Sequence, residues 1–173
     1  GIRVRGTDAT RVNVTVNGIP FNDAESQGVY WVNMPDISSS TDDIQIQRGI
    51  GASTTGASAF GASINLSTLS TINSNKPYGE ISTSYGSFNT LKNTIKVGTG
   101  LIDGKWNFEG RLSRVASDGF IDRASSDLNS YYFSGSYLGE KTSIQALVFS
   151  GNEKTYQSWG GTPLRVLDLS LIH

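Results

Sequence analysis

Apolar and polar positions alternate with a period of two in three short stretches early in the chain. Val12, Val14 and Val16 alternate with polar residues over 12–17, Ile44 and Ile46 over 43–48, and Ile64 and Leu66 over 63–68. That period puts successive side chains on opposite faces of an extended strand. Asn17-Gly18 and Gly49 close the first two stretches with turn chemistry. Gly1-Ile2-Arg3-Val4-Arg5 reads as a further strand. Between the second and third stretches, the run 51–61 consists mostly of small residues, which permit close backbone approach and a short helical turn. No pattern supports a helix longer than about three turns.

After Pro77 the alternating segments lengthen. Five strands are expected, over 78–88, 90–100, 105–117, 128–139 and 142–152. Each is near the roughly 9–11 residues that a tilted strand needs to cross a bilayer. In the second, Leu91, Asn93, Ile95, Val97 and Thr99 oppose Lys92, Thr94, Lys96 and Gly98. In the third, Trp106, Phe108 and Leu112 oppose Asn107, Glu109, Arg111 and Ser113. In the fourth, Tyr131, Phe133 and Tyr137 oppose Ser134 and Ser136. The fifth is ambiguous, because Leu147 and Phe149 interrupt the face set by Ile144, Ala146 and Val148. Leu101–Lys105 and Gly139–Lys141 read as tight turns, whereas Ser117–Asp127 is a long polar connection. The chain after Asn152 reads as the start of another long loop. Short links at one end and long ones at the other are the outer-membrane barrel arrangement, and Tyr78, Phe88, Trp106 and Tyr131 near strand ends fit its aromatic girdles. A soluble antiparallel sheet with one wet face has the same alternation.

Composition removes most other classes. Charged residues are 17 % and hydrophobic residues 36 % of 173, so Gly, Ser, Thr and Asn fill a β-rich chain with many turns. A net charge of −1 gives no attraction to nucleic acid. There is no Cys, and the single His is His173; no thiolate or imidazole site is expected, hence no metal centre and no cofactor. Gly51–Gly56 lacks the Gly-Lys-Ser/Thr ending of a phosphate-binding loop. Nothing fixes two of Asp103, Glu109 and Asp118 at one site. The expectation is that the chain is not an enzyme. No apolar run reaches the length of a transmembrane helix, and no signal peptide opens the chain.

Four blocks occur in order along the first 70 residues: Ile2-Arg3-Val4-Arg5-Gly6; Val12–Val16 running into Asn17-Gly18-Ile19-Pro20; Asp42–Arg48 closing on Gly49; and Ala57–Phe60, then Gly61, then Ala62–Thr68. Together they resemble the C-terminal half of the plug domain of TonB-dependent outer-membrane receptors. Asn17 stands where the family has Asp, Gln45 where it often has Glu, and Ala62 where it often has a second Gly. The resemblance implies a mainly β fold. A partial plug sheet with short helices, residues 1–74, precedes antiparallel amphipathic strands of an incomplete transmembrane β-barrel, residues 75–173. In this class a barrel of about 22 strands carries a plugged lumen. The chain is thus expected to be a fragment with about five barrel strands, truncated at both ends, in which residues 165–173 are of uncertain origin.

The function implied is energy-coupled uptake of a scarce nutrient (siderophore, haem, cobalamin or oligosaccharide) across the outer membrane of a Gram-negative bacterium. The partners implied are outer-membrane lipid, the small-molecule or oligosaccharide ligand, a surface lipoprotein, and the inner-membrane coupling protein TonB, whose contact segment is absent from this chain. Tyr30, Trp31, Asn33 and Asp36 lie in a plug loop and are candidate ligand contacts, since aromatic and polar groups together suit a binding site. Arg5 and Arg48 are candidate plug-seating residues, because a guanidinium pairs bidentately with wall carboxylates. The competing expectation is a secreted or surface β-sheet binding module, for example for glycans.

Overall fold

The computed structural model describes residues 2–49, 59–68 and 76–156. The small-residue run 51–58, the chain from 157 onward and the link 69–75 lie outside the described residues, and with them the expectations for Trp159–Pro163 and for 165–173. Among the described residues, nine strands form two sheets. The described helices are three 3-10 turns, Ala9–Arg11, Trp31–Asn33 and Ile37–Ser40.

The first sheet joins β1 (Val12–Val16), β2 (Ile19–Pro20), β3 (Asp43–Arg48) and β4 (Ala62–Ser67) in the order β2-β1-β4-β3. Asn17 and Gly18, with φ of 52° and 81°, turn β1 into β2. Two consecutive positive φ angles are what the tightest hairpin connection demands, and Asn-Gly meets that demand at least steric cost. β1 runs parallel to β4, and β3 antiparallel to it. One face buries Val12, Val14, Val16, Ala62, Ile64 and Leu66 as an apolar cluster. The other carries Thr15, Gln45, Gln47, Ser63 and Asn65, with Thr15 Oγ1 donating to Asn65 Oδ1 at 2.7 Å. The expected strand at Ile2–Arg5 does not form. Arg5 takes a φ of 51°, and Thr7 N donates to Val4 O at 3.0 Å, closing a turn instead.

The second sheet is an antiparallel meander of β5 (Tyr78–Gly86), β6 (Thr90–Gly98), β7 (Trp106–Ser117), β8 (Ser126–Leu138) and β9 (Ser143–Thr155). β9 runs past Asn152 to Thr155, paired throughout with β8, so the long loop expected after Asn152 begins later. The ladder register aligns the alternation of all five strands. Ile81, Ile95, Leu112 and Tyr131 fall in one rank, and Val97, Gly110, Phe133 and Val148 in the next. This apolar face is the exposed one: Leu112 is 63 % exposed, Phe133 50 % and Ile81 79 %. The opposite face holds Asn107, Glu109, Arg111, Ser113, Ser130, Ser134 and Ser136, all buried. A water-soluble sheet places these faces the other way round.

Leu147 and Phe149, which blurred the fifth strand, fall on the inner face. Leu147 packs against the apolar cluster of the first sheet, and Phe149 lies 5.9 Å from Phe21, centroid to centroid. β9 is apolar on both sides because each side meets an apolar neighbour.

Candidate functional site at the seam between the two sheets

The small sheet and its loops sit against the polar face of the large one, and Asp36 is the centre of that contact. The 3-10 turn Trp31–Asn33 ends at Met34-Pro35, and Asp36 then adopts the left-handed conformation (φ 54°, ψ 31°) ahead of Ile37–Ser40. Asp is among the few non-glycine residues that tolerate this region. The kink turns its carboxylate toward β6 and β7.

There both oxygens are taken. Oδ1 accepts from Lys92 Nζ at 2.8 Å and from Ser39 Oγ at 2.8 Å. Oδ2 accepts from Arg111 Nη1 at 3.0 Å and from Ser113 Oγ. Arg111 Nη1 also donates to the Asp36 carbonyl at 3.0 Å, and Lys92 Nζ to Ser39 Oγ at 2.6 Å. The Asp36 and Arg111 side chains are 7 % and 2 % exposed. Burial works to raise the Asp36 carboxyl above the ordinary carboxylate range. The hydrogen bonds from Lys92, Ser113 and Ser39 and the Lys92 charge outweigh it and hold the group below that range.

Two further contacts flank this one. Beside it, Pro35 presses on Gly151 of β9, where a Cβ would collide with the proline ring. Farther along, Asn17 and Thr68 exchange two hydrogen bonds, of 2.8 and 2.9 Å. Tyr132 of β8 donates to Thr68 Oγ1 at 2.8 Å, and both residues are buried. Tyr132→Phe should cost about 1 kcal/mol, the worth of one hydrogen bond, because Thr68 Oγ1 keeps Asn17. Hydrogen exchange at the Thr68 amide should rise several-fold, and unchanged exchange would show that this contact does not hold the two sheets together.

The candidate residues separate on the structure. Asp36 is committed to β6 and β7. Trp31 is half-buried against the apolar cluster. Tyr30 is 56 % exposed, its hydroxyl 3.4 Å from Ser26 Oγ, and Asn33 is exposed. Arg5 and Arg48 come to one end of the small sheet, Arg5 Nη1 lying beside Gly49; both are exposed and neither pairs with a carboxylate among the described residues. Lys92, Arg111, Ser113, Thr68 and Tyr132 were not singled out from sequence. Two of them, Lys92 and Arg111, carried a signal: charges on the polar face of otherwise amphipathic strands. Among the described residues no three acidic, His or Cys side chains gather where a metal ion could sit.

A sheet with its apolar face out and its charged face clasping a small mixed sheet is part of a β-barrel wall with a plug against it. Comparison with known proteins agrees. Residues 1–63 match the family model described as TonB-dependent Receptor Plug Domain. The pyoverdine outer membrane receptor FpvA from Pseudomonas aeruginosa PAO1 superposes with a TM-score of 0.66 at 19 % identity, over 84 % of this chain and 21 % of that one. The ferric yersiniabactin uptake receptor FyuA from Yersinia pestis gives 0.58 at 16 % identity, over 83 % and 22 %. The siderophore receptor PirA from Acinetobacter baumannii gives 0.59 at 16 %, over 88 % and 25 %. The plug-domain match covers residues 1–63, the fold of the chain is similar to the corresponding part of these receptors, and the chain spans between a fifth and a quarter of the length of these solved structures.

Proposed function

We propose that the receptor to which this chain belongs takes up a ferric siderophore across the outer membrane, with its plug as the gate and TonB as the source of energy. The observation that carries this reading is the inverted sheet: its apolar residues are exposed and its charges are turned inward onto a plug. An exposed apolar face of this length needs hydrocarbon beside it, and strands with charged lumen residues supply a polar passage. The siderophore class is supported by the likeness to the pyoverdine receptor FpvA, the ferric yersiniabactin receptor FyuA and the siderophore receptor PirA. On this reading residues 1–74 are the plug portion and 75–173 the wall portion. Exposed Tyr30 and Asn33 remain ligand contacts. Arg5 and Arg48 seat the plug against wall strands beyond those described, and Asp36 seats it against β6 and β7. The chemistry is binding and gating rather than bond making.

The test is growth under iron limitation of cells deleted for the full-length gene, with and without a complementing copy. Complemented cells should regain growth on at least one ferric siderophore, and lose it when the proton gradient is collapsed. Equal growth of both strains on every siderophore would overturn the substrate class, and rescue on haem, cobalamin or an oligosaccharide would reassign it.

A further inference from the structure

The inner face of the large sheet is not level. Its residues stand in ranks across the strands. Lys92, Val115, Leu128 and Glu153 form one rank over β6, β7, β8 and β9, and Lys96, Arg111, Tyr132 and Phe149 form another. The rank between them is Thr94, Ser113, Ser130 and Gly151. Its side chains are short and end, at β9, in a residue with none. A short rank between two long ones leaves a transverse slot in the wall, one rank wide and deepest at Gly151.

The loop of the small sheet lies in this slot. The Pro35 ring stands where a Gly151 Cβ would be, with Pro35 Cδ 3.0 Å from that position. Asp36, the next residue, reaches Arg111 and Ser113 on β7. Neighbouring strands lie about 5 Å apart, so two consecutive loop residues grip strands ~10 Å apart. Between them, Ser130 Oγ is buried and makes no hydrogen bond among the described residues. Shape rather than polarity therefore sets the loop at the β9 end. The ranks on either side offer no such space. Phe149 is already against Phe21 at 5.9 Å, and Glu153 carries a long side chain. A displacement by one rank is two residues, about 7 Å along the strand, and would press Pro35 onto one of these two.

We propose that Pro35 and Gly151 form a steric detent that fixes the depth of the plug in the pore and so brings Asp36 to its ion pair. Gly151 is a positioning residue. It makes no contact with the charges, and acts by letting Pro35 lie close enough to the wall for Asp36 to reach Arg111. The ion pair supplies the strength of the seat, and the slot selects its position. The proposal rests on the gate reading above.

The test measures dye leakage from vesicles holding the full-length receptor, with folding of the wall checked by its compact migration in unheated detergent gels. Gly151→Ala should raise leakage about tenfold, or about 1.4 kcal/mol, within the range for a methyl forced into a packed site. Pro35→Ala removes the ring atoms that this methyl meets. Pro35→Ala alone should raise leakage about threefold, through lost packing, and Gly151→Ala/Pro35→Ala should fall back to that level. Asp36→Asn should add much less leakage to Gly151→Ala than to the unaltered receptor, because the ion pair is already out of reach. Gly110→Ala, on the outer face, places its methyl at ordinary contact, 3.7 Å from Val97 Cγ2, and should change nothing. A Gly151→Ala effect that arose within the wall itself, through the Asn129 carbonyl 2.8 Å from the added carbon, would show no rescue by Pro35→Ala and full additivity with Asp36→Asn. Either result overturns the detent. Should Gly151→Ala fail to assemble, Pro35→Ala carries the test: a rise in leakage with a smaller added effect of Asp36→Asn supports the detent, and unchanged leakage overturns it. Leakage from Asp36→Asn with none from Gly151→Ala overturns the detent alone, and no leakage from either overturns the seating on which it rests.

Discussion

Asp36→Asn should release the plug from the wall. Asn keeps the left-handed backbone that Asp36 adopts, so the substitution removes the charge without adding strain at this position. It leaves Arg111, 2 % exposed, buried beside Lys92 with no anion. Breaking a buried ion pair from one side costs about 3–5 kcal/mol. At 1.4 kcal/mol for each factor of ten, about 3 kcal/mol is more than a hundredfold shift toward the unseated plug. In cells expressing the full-length receptor, this predicts sensitivity to antibiotics too large for ordinary porins. Arg111→Met alone should shift this sensitivity the same way by less, since Asp36 keeps its ion pair with Lys92. The pair Asp36→Asn/Arg111→Met should recover most of the loss, because neither buried charge is then unmatched. Unchanged antibiotic sensitivity in both single variants would remove Asp36 from the seating role.

The same contact has a defined pH dependence. Asp36 is held below the ordinary carboxylate range, so the folded state binds its proton less readily than the unfolded chain does. Its contribution is complete above the unfolded value of about 3.9 and is lost as pH falls through the lower folded value. Plug seating should therefore be flat from about pH 5 upward, and leakage of a fluorescent dye from vesicles holding the receptor should rise only in stronger acid.

The wall was legible in the sequence because its physics is local. A strand with lipid on one side and a polar lumen on the other has to alternate, and Trp106, Phe108 and Leu112 against Asn107, Glu109 and Arg111 do so without interruption. Leu147 and Phe149 broke the pattern for a reason that lies outside their own sheet: Leu147 packs on the core of the small sheet and Phe149 meets Phe21. The turn residues Asn17-Gly18 and Asp103-Gly104 were equally readable, each pair adopting positive φ in succession. Ile2–Arg5 was misread because its valine and isoleucine suit a strand, while the turn comes from Arg5 taking positive φ, which arginine does not announce. The Asp36 site was the least legible part. Its residue was noticed as a loop carboxylate suited to ligand. Its partners Lys92 and Arg111 lie 56 and 75 residues away along the chain, on strands whose inner faces meet the loop only after folding.

Phe133→Arg should abolish stable insertion, and the effect should depend on depth along the strand. Phe133 lies in the rank of Val97, Gly110 and Val148, in the middle of the apolar face. Arginine there costs ~2–4 kcal/mol, falling to ~0–1 near the interface. Asn129→Arg, two ranks toward the polar edge on the same face of β8, should therefore be nearly neutral. Chemical unfolding of the full-length receptor in phospholipid vesicles reads the difference directly. Against a total stability of about 5–15 kcal/mol for an ordinary domain, the first substitution should shift the unfolding midpoint far more than the second. The sign separates the two classes of protein that share this alternation. On a soluble sheet, a residue 50 % exposed to water accepts arginine at almost no cost, because the charge stays hydrated, and removing an exposed phenylalanine improves solubility. On a barrel wall the same position is solvated by hydrocarbon, which offers the guanidinium no hydrogen bonds. A loss at Phe133 together with tolerance at Asn129 is an outcome that only the second environment produces.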